Sequence, residues 1–195
     1  MKVNLRRIKG NWDDGYVLDK HKIRSIFIGH YPNGRPQFDT LRTDIGEAVY
    51  QLKYNGDWTK CAPLAKAVHD HIVPLFPKIG LVVPMPPSQP RSRQPVDGVA
   101  EELAKLMGLT VFGDLIAKSP STTGKKLKDL TSKPEKVAEL AGRLSINDTI
   151  GGDGKWNALL IDDLFDSGAS MEAATAALKS YNKISGVYVA ALTWK

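Results

Sequence analysis

The sequence predicts an α/β fold, a parallel twisted sheet flanked by helices, with a small N-terminal β/α lobe. Three observations carry this prediction. From residue 79 onward, continuous apolar runs alternate with stretches of helical length, and a strand that is apolar throughout has to be covered on both faces. The most convincing run, "NALLIDD" (157–163), leads directly toward the alanine-rich helical stretch "GASMEAATAALKSY" (168–181). Before residue 55 the segments are shorter and alternating, and Gly, Asn, Asp and Pro separate them. On this basis residues 1–55 form the lobe and residues 56–195 the α/β core.

Taken in order, "VNLRRI" (3–8) and "IRSIFIG" (23–29) alternate as strands do, and the Gly, Asn and Asp residues between them suit turns. "HYPNGRPQFD" (30–39) reads as a loop from its prolines and its Asn-Gly pair. Two helices follow, over 43–54 and 57–76, the second opened by Asp57 as N-cap and interrupted near Pro63. "IGLVVPM" (79–85) is a buried strand, "PPSQPRSRQP" a proline-rich loop, and "VDGVAEELAKLMG" (96–108) a helix. "TVFGDLIAK" (110–118) contains a short strand, a helix is expected near 134–142, and "ISGVYVAALTW" (184–194) closes the chain with another apolar strand.

Composition is that of an ordinary globular protein, with 42% hydrophobic and 25% charged residues in 195. No apolar run approaches the ~18 residues of a membrane span, and the N-terminus lacks the apolar centre of a signal peptide, so a cytoplasmic location is expected. The single cysteine, Cys61, excludes an internal disulfide and an all-cysteine zinc site. The net charge of +6 favours an anionic partner. Residues 118–143 hold seven Lys or Arg against three acids. Aromatic residues are not interleaved there, so nucleic acid is not favoured as the partner. Trp12, Asp13, Asp14 and Tyr31 read first as surface or packing residues.

The chemistry concentrates in "LLIDDLFDSGAS" (159–170). In an open parallel sheet, ligands bind beyond the carboxyl ends of the strands, and Asp162 and Asp163 fall at such an end. Adjacent residues of an extended segment point to opposite sides, so the two carboxylates do not form a tight acid dyad. They suit neighbouring hydroxyls or a hydrated divalent cation. The following Asp166, Ser167, Gly168, Ala169 and Ser170 stand at a helix start, where backbone N–H groups lack partners and the dipole favours an anion. A phosphate fits this turn, with hydroxyl donors from Ser167 and Ser170.

This stretch resembles the binding signature of type I phosphoribosyltransferases for phosphoribosyl diphosphate (PRPP). The resemblance implies that Asp162 and Asp163 face the ribose hydroxyls and engage Mg²⁺, while residues 166–170 cradle the 5-phosphate, with Asp166 turned outward. It further implies that "LVVPMPPSQPRSR" (81–93) carries the pyrophosphate loop, with Pro86, Ser88, Arg91 and Arg93 as substrate-binding residues. "KSPSTTGKKLKD" (118–129) takes the place of a mobile catalytic loop, with Lys125 and Lys126 as catalytic cations. Within the family, "LKYNGD" (52–57) and "VVPMP" resemble the competence-protein ComF/GntX-like branch, whose N-terminal zinc ribbon this chain lacks.

The activity the resemblance implies is displacement of pyrophosphate from PRPP by a nitrogen acceptor, dependent on Mg²⁺; a homodimer is one assembly left open. Two other readings stay open. One is a PRPP sensor that binds without catalysis. The other is a receiver-like or phosphohydrolase domain in which Asp162 or Asp163 is phosphorylated.

Overall fold

A computed structural model describes residues 1–87, 92–121, 124 and 129–195. Its centre is β8 (Trp156–Phe165), flanked by β5 (Leu81–Pro84) on one side and β9 (Ile184–Trp194) on the other, both parallel to it. Beyond β9 lies β2 (Asp14–Lys20), also parallel, and β1 (Arg6–Arg7) closes that edge antiparallel to β2.

The reason for the unbroken apolar run in β8 is visible in its two faces. Leu159 and Ile161 pack into a layer made by α1 (Asp44–Tyr54), α2 (Cys61–His71) and α3 (Pro95–Met107). Ala158 and Leu160 pack on the other side with Met171, Ala174 and Leu178 of α5 (Ala169–Lys179). All four strand residues are fully buried, as a sheet covered on both faces requires. Among the described residues no helix is long and apolar enough to cross a membrane.

The expected helices form with small changes. Asp57 caps a short 3₁₀ turn, Trp58–Lys60, by accepting from the Thr59 N–H at 3.1 Å, and α2 begins only at Cys61. Pro63 therefore falls in the first turn of α2, where its missing N–H has no intrahelical partner to lose. A second 3₁₀ turn, Val73–Leu75, ends the expected 57–76 segment. α4 (Lys133–Leu140) starts at a capping box between Ser132 and Glu135, and β6 (Ile116–Lys118) pairs with β7 (Leu144–Ile146) around it.

Two expectations for the N-terminal region are corrected. The stretch read as a turn between two strands contains β2, whose Val17 and Leu18 are fully buried. Its partner β9 lies some 170 residues further along, so no local pattern reveals the pairing. The segment read as a loop over 30–39 contains most of β4 (Pro36–Leu41), which pairs antiparallel with β3 (Arg24–His30). Gly34, at φ +77°, makes the tight connection, and Pro36 is tolerated as the first residue of its strand.

Strand pairing thus divides residues 1–55 differently from a single lobe. β1, β2 and α1 build the main sheet and one of its helical layers. The β3–β4 hairpin forms a sheet of its own, with Ile26, Phe27, Ile28 and Phe38 exposed.

Candidate functional site

The parallel register brings three segments to one edge of the sheet. Pro84 is level with Ile161, the Met85 N–H donates to the Ile161 carbonyl, and Pro86 follows at once. Asp162 is level with Ala191, and Phe165 with Trp194. His21, the first residue after β2, donates its N–H to the Trp194 carbonyl at the same edge.

Strand alternation sends the two adjacent aspartates to different places. Asp163 shares the side of Leu159 and Ile161, toward α1. There its Oδ2 lies 2.5 Å from the Lys53 ammonium, and both side chains are mostly buried. Thr193 donates its hydroxyl to the Asp163 carbonyl at 2.8 Å and lies 3.3 Å from Nδ1 of His21. Burial works against the charge on Lys53, but the Asp163 carboxylate outweighs it and the ammonium is held above its ordinary pKa. His21 is pushed down, first by burial and then by the Arg42 charge.

Asp162 turns to the α5 side. Its Oδ1 accepts the Asp163 N–H at 2.8 Å. Burial and then the neighbouring Asp163 charge push its carboxyl up to about 7, against the pull of Lys53 and Lys118. With Lys136 and the chain from Leu164 to Met171 it lines a cleft of about 130 Å³.

The floor of that cleft is the turn into α5. Gly168 is the N-cap, at φ +82° with no side-chain cap of its own; the Ala169 N–H donates to the Ser167 hydroxyl at 3.5 Å, and residues 167–171 of this helix start line the cleft. A Cβ on Gly168 would lie 3.1 Å from the Phe165 ring. That ring meets Trp12 edge to face at 6.3 Å, and Trp12 donates to the Ile8 carbonyl at 3.1 Å. Trp12 is therefore buried packing beneath the turn rather than a surface residue. Glycine is favoured here, because the positive φ strains any other residue and the Phe165 ring would have to give by a few tenths of an ångström.

α4 is fastened across the start of α5. Lys136 lies 2.5 Å from Asp166 and Lys133 2.7 Å from Glu172. Asp166 lies at the rim of the cleft, and its pKa is lowered by the hydrogen bond from Lys136. The stem of the basic stretch is pinned nearby. Arg143 pairs with the buried Glu139 at 2.7 Å and donates to the Ser119 carbonyl, while Ser121 donates to Glu139 at 2.5 Å.

Of the expected site residues, Asp162, Asp163, Asp166, Ser167, Gly168, Ala169 and Ser170 lie together at this edge, and Pro86 is at the end of the adjoining strand. Arg93 is held over the Trp58 ring at 4.1 Å and 4.0 Å from Glu101. Ser88, Arg91, Lys125 and Lys126 lie outside the described residues. Lys53, His21, Lys118 and Lys136 were not singled out as site residues by sequence reasoning. Lys53 lies within "LKYNGD" and Lys118 opens the basic stretch 118–129, so both stood in stretches singled out for other reasons, whereas nothing adjacent in sequence marks His21 or Lys136.

The two aspartates do not converge on one metal ion, because Asp162 and Asp163 point to opposite faces and Lys53 occupies Oδ2 of Asp163. Among the described residues no group of three or more His, Cys, Asp or Glu is placed to hold a metal.

No protein-family model matches the chain, and no curated protein matches it in sequence. Solved structures do match it in fold. The adenine phosphoribosyltransferase of Trypanosoma brucei, solved with AMP, pyrophosphate and ribose-5-phosphate, superposes with a TM-score of 0.52 at 14% identity, over 100% of this chain and 76% of its own. The Leishmania donovani adenine phosphoribosyltransferase gives a TM-score of 0.50 at 10% identity, over 98% of this chain and 86% of its own. The expected architecture, a parallel sheet between helices as in these phosphoribosyltransferases, is the one found.

Proposed function

We propose that the chain binds PRPP at the carboxyl end of β8 and transfers its 5-phosphoribosyl group to a nitrogen acceptor, releasing pyrophosphate. The observation that carries this reading is the shared cleft. One carboxylate, Asp162, faces the same small space as a glycine-centred helix start flanked by Lys136. A sugar hydroxyl and a phosphate on one molecule need such a pair of contacts a few ångströms apart. The shared fold with an enzyme solved with AMP, pyrophosphate and ribose-5-phosphate supports the same assignment. "LKYNGD" and "VVPMP" favour the ComF/GntX-like branch within the class.

In this mechanism the N–H groups at the start of α5, with the Ser167 and Ser170 hydroxyls, anchor the 5-phosphate. Asp162 and Asp163 orient the ribose, and carboxylate charge at this strand end favours the cationic character that grows on the ring as the bond to diphosphate breaks. Ser88, Arg91 and Arg93, with Lys125 and Lys126, are assigned to the departing diphosphate. Mg²⁺ is assigned to the diphosphate as part of the substrate; among the described residues no group of three or more His, Cys, Asp or Glu is placed to chelate it.

Calorimetry with PRPP and Mg²⁺, combined with a pyrophosphate-release assay over purine, pyrimidine and amine acceptors, tests this reading. Asp162→Asn is expected to lower PRPP affinity by ten-fold or more without lowering the melting temperature. Wild-type affinity in that variant, or no PRPP binding by the wild type, overturns the site assignment. Binding without pyrophosphate release for any acceptor makes the chain a PRPP sensor instead of a transferase.

A further inference from the structure

Resting on this reading, we infer that Lys53 is a positioning residue for the sugar-binding carboxylate Asp163. The two residues are 110 positions apart, and their contact depends on how α1 is seated. Thr43, the N-cap of α1, accepts from the Gly46 N–H at 3.0 Å and donates to the Lys20 carbonyl at 2.6 Å, tying the helix start to the end of β2. Gly46 lies so close to the His21 carbonyl that a Cβ would stand 2.1 Å from it, so the helix cannot shift outward without losing this contact. From that anchor α1 runs eleven residues along the face of the sheet, and Lys53 in its last turn reaches over β9 to the end of β8.

The consequence falls on Asp163. Its backbone is held by the Thr193 hydroxyl and its Oδ2 by Lys53, which fixes the side-chain rotamer on the α1 side. The other oxygen, Oδ1, then has one defined direction in which to accept a ribose hydroxyl. Lys53 also opposes the repulsion between Asp163 and Asp162, the second largest cause of the raised Asp162 carboxyl. The stretch "LKYNGD", for which the phosphate and sugar contacts give no role, thereby acquires one through its lysine. Lys53 touches Asp163 and acts on the substrate only through it.

The test compares Lys53→Met, Lys53→Arg, Asp163→Asn and the double variant Lys53→Met/Asp163→Asn, each titrated with PRPP plus Mg²⁺ and separately with inorganic phosphate. Lys53→Met is expected to weaken PRPP about 10- to 100-fold, with phosphate affinity unchanged. Lys53→Arg should recover most of the affinity, and the double variant should bind no more weakly than Asp163→Asn alone. Three outcomes overturn the inference: wild-type PRPP affinity in Lys53→Met, additive losses in the double variant, or a parallel loss of phosphate affinity and melting temperature. The Asp162→Asn control separates the two levels. If that variant loses PRPP and Lys53→Met does not, the positioning role alone fails; if it keeps PRPP, the PRPP assignment itself fails.

Discussion

On one face of β8, Asp162 looks into a small cleft that it lines together with a helix start; on the other, Asp163 is paired with a lysine from a helix more than a hundred residues away. The two residues have the same side chain and share a peptide bond. Asp163 meets a countercharge at 2.5 Å, whereas Asp162 meets burial and the charge of its neighbour, and its carboxyl rises to about 7. A buried carboxylate is tolerated in one of two ways, by pairing or by taking up a proton, and adjacent positions of one strand show both. The strand places them on opposite faces, and the surroundings of each face then set their chemistry.

The largest effect expected is at the turn that both sides depend on. Gly168→Val would need a strained backbone at φ +82° and would drive a side chain into Phe165. PRPP and ribose-5-phosphate affinity, read by calorimetry, should fall by about 100-fold or more, since the anchoring N–H groups move. A Gly168→Val protein with wild-type affinity would show that the turn is not the phosphate site.

The comparison itself predicts stability changes of opposite sign. Asp163→Asn removes the carboxylate that pairs with the mostly buried Lys53 ammonium and should cost about 1–3 kcal/mol in urea unfolding at pH 8. Asp162→Asn should stabilise at pH 8, because it removes a carboxyl that resists ionisation in the folded state. The sign follows from linkage. Between pH about 4 and 7 the folded protein keeps a proton on Asp162 that the unfolded chain has released, so wild-type stability falls as pH rises through that window. The advantage of Asp162→Asn should be absent near pH 4, grow to about pH 7 and then level off. His21, whose lowered pKa works in the reverse direction below its ordinary value of 6.5, is common to both proteins and cancels in the difference. An advantage independent of pH would remove the basis for the contrast.

The smallest effect belongs to the rim of the cleft. Lys136→Met removes the cation paired with Asp166, and phosphate affinity should drop by roughly 3- to 10-fold at low salt. A loss that persists unchanged in high salt would argue that α4 supports the turn by packing rather than by charge.

Much of the architecture was legible because local pattern and environment agree. β5 and the central runs of β8 and β9 are apolar since helices cover both faces, and α5 announces itself by its alanines and by the glycine at its start. β2 was hidden because its two fully buried residues are set among Gly and Asp, and its partner strand is at the far end of the chain. β4 was hidden because Pro and Asn-Gly suggest a loop, although the same Asn-Gly is also a hairpin connection.

By itself the sequence determined the class of fold, the strand that carries Asp162 and Asp163 (which runs two residues past them, to Phe165), their opposite directions, and the small-residue turn from Asp166 to Ser170. All of these are local properties, set by a period of two, by apolar continuity and by glycine's access to positive φ. The tertiary structure decided which charge meets which carboxylate. Lys53 reaches Asp163 because a threonine cap and a close glycine contact seat α1 on β2, and Lys136 reaches Asp166 because α4 is fastened across the start of α5. Pairings of this kind depend on how separate elements dock, which no spacing along the chain encodes.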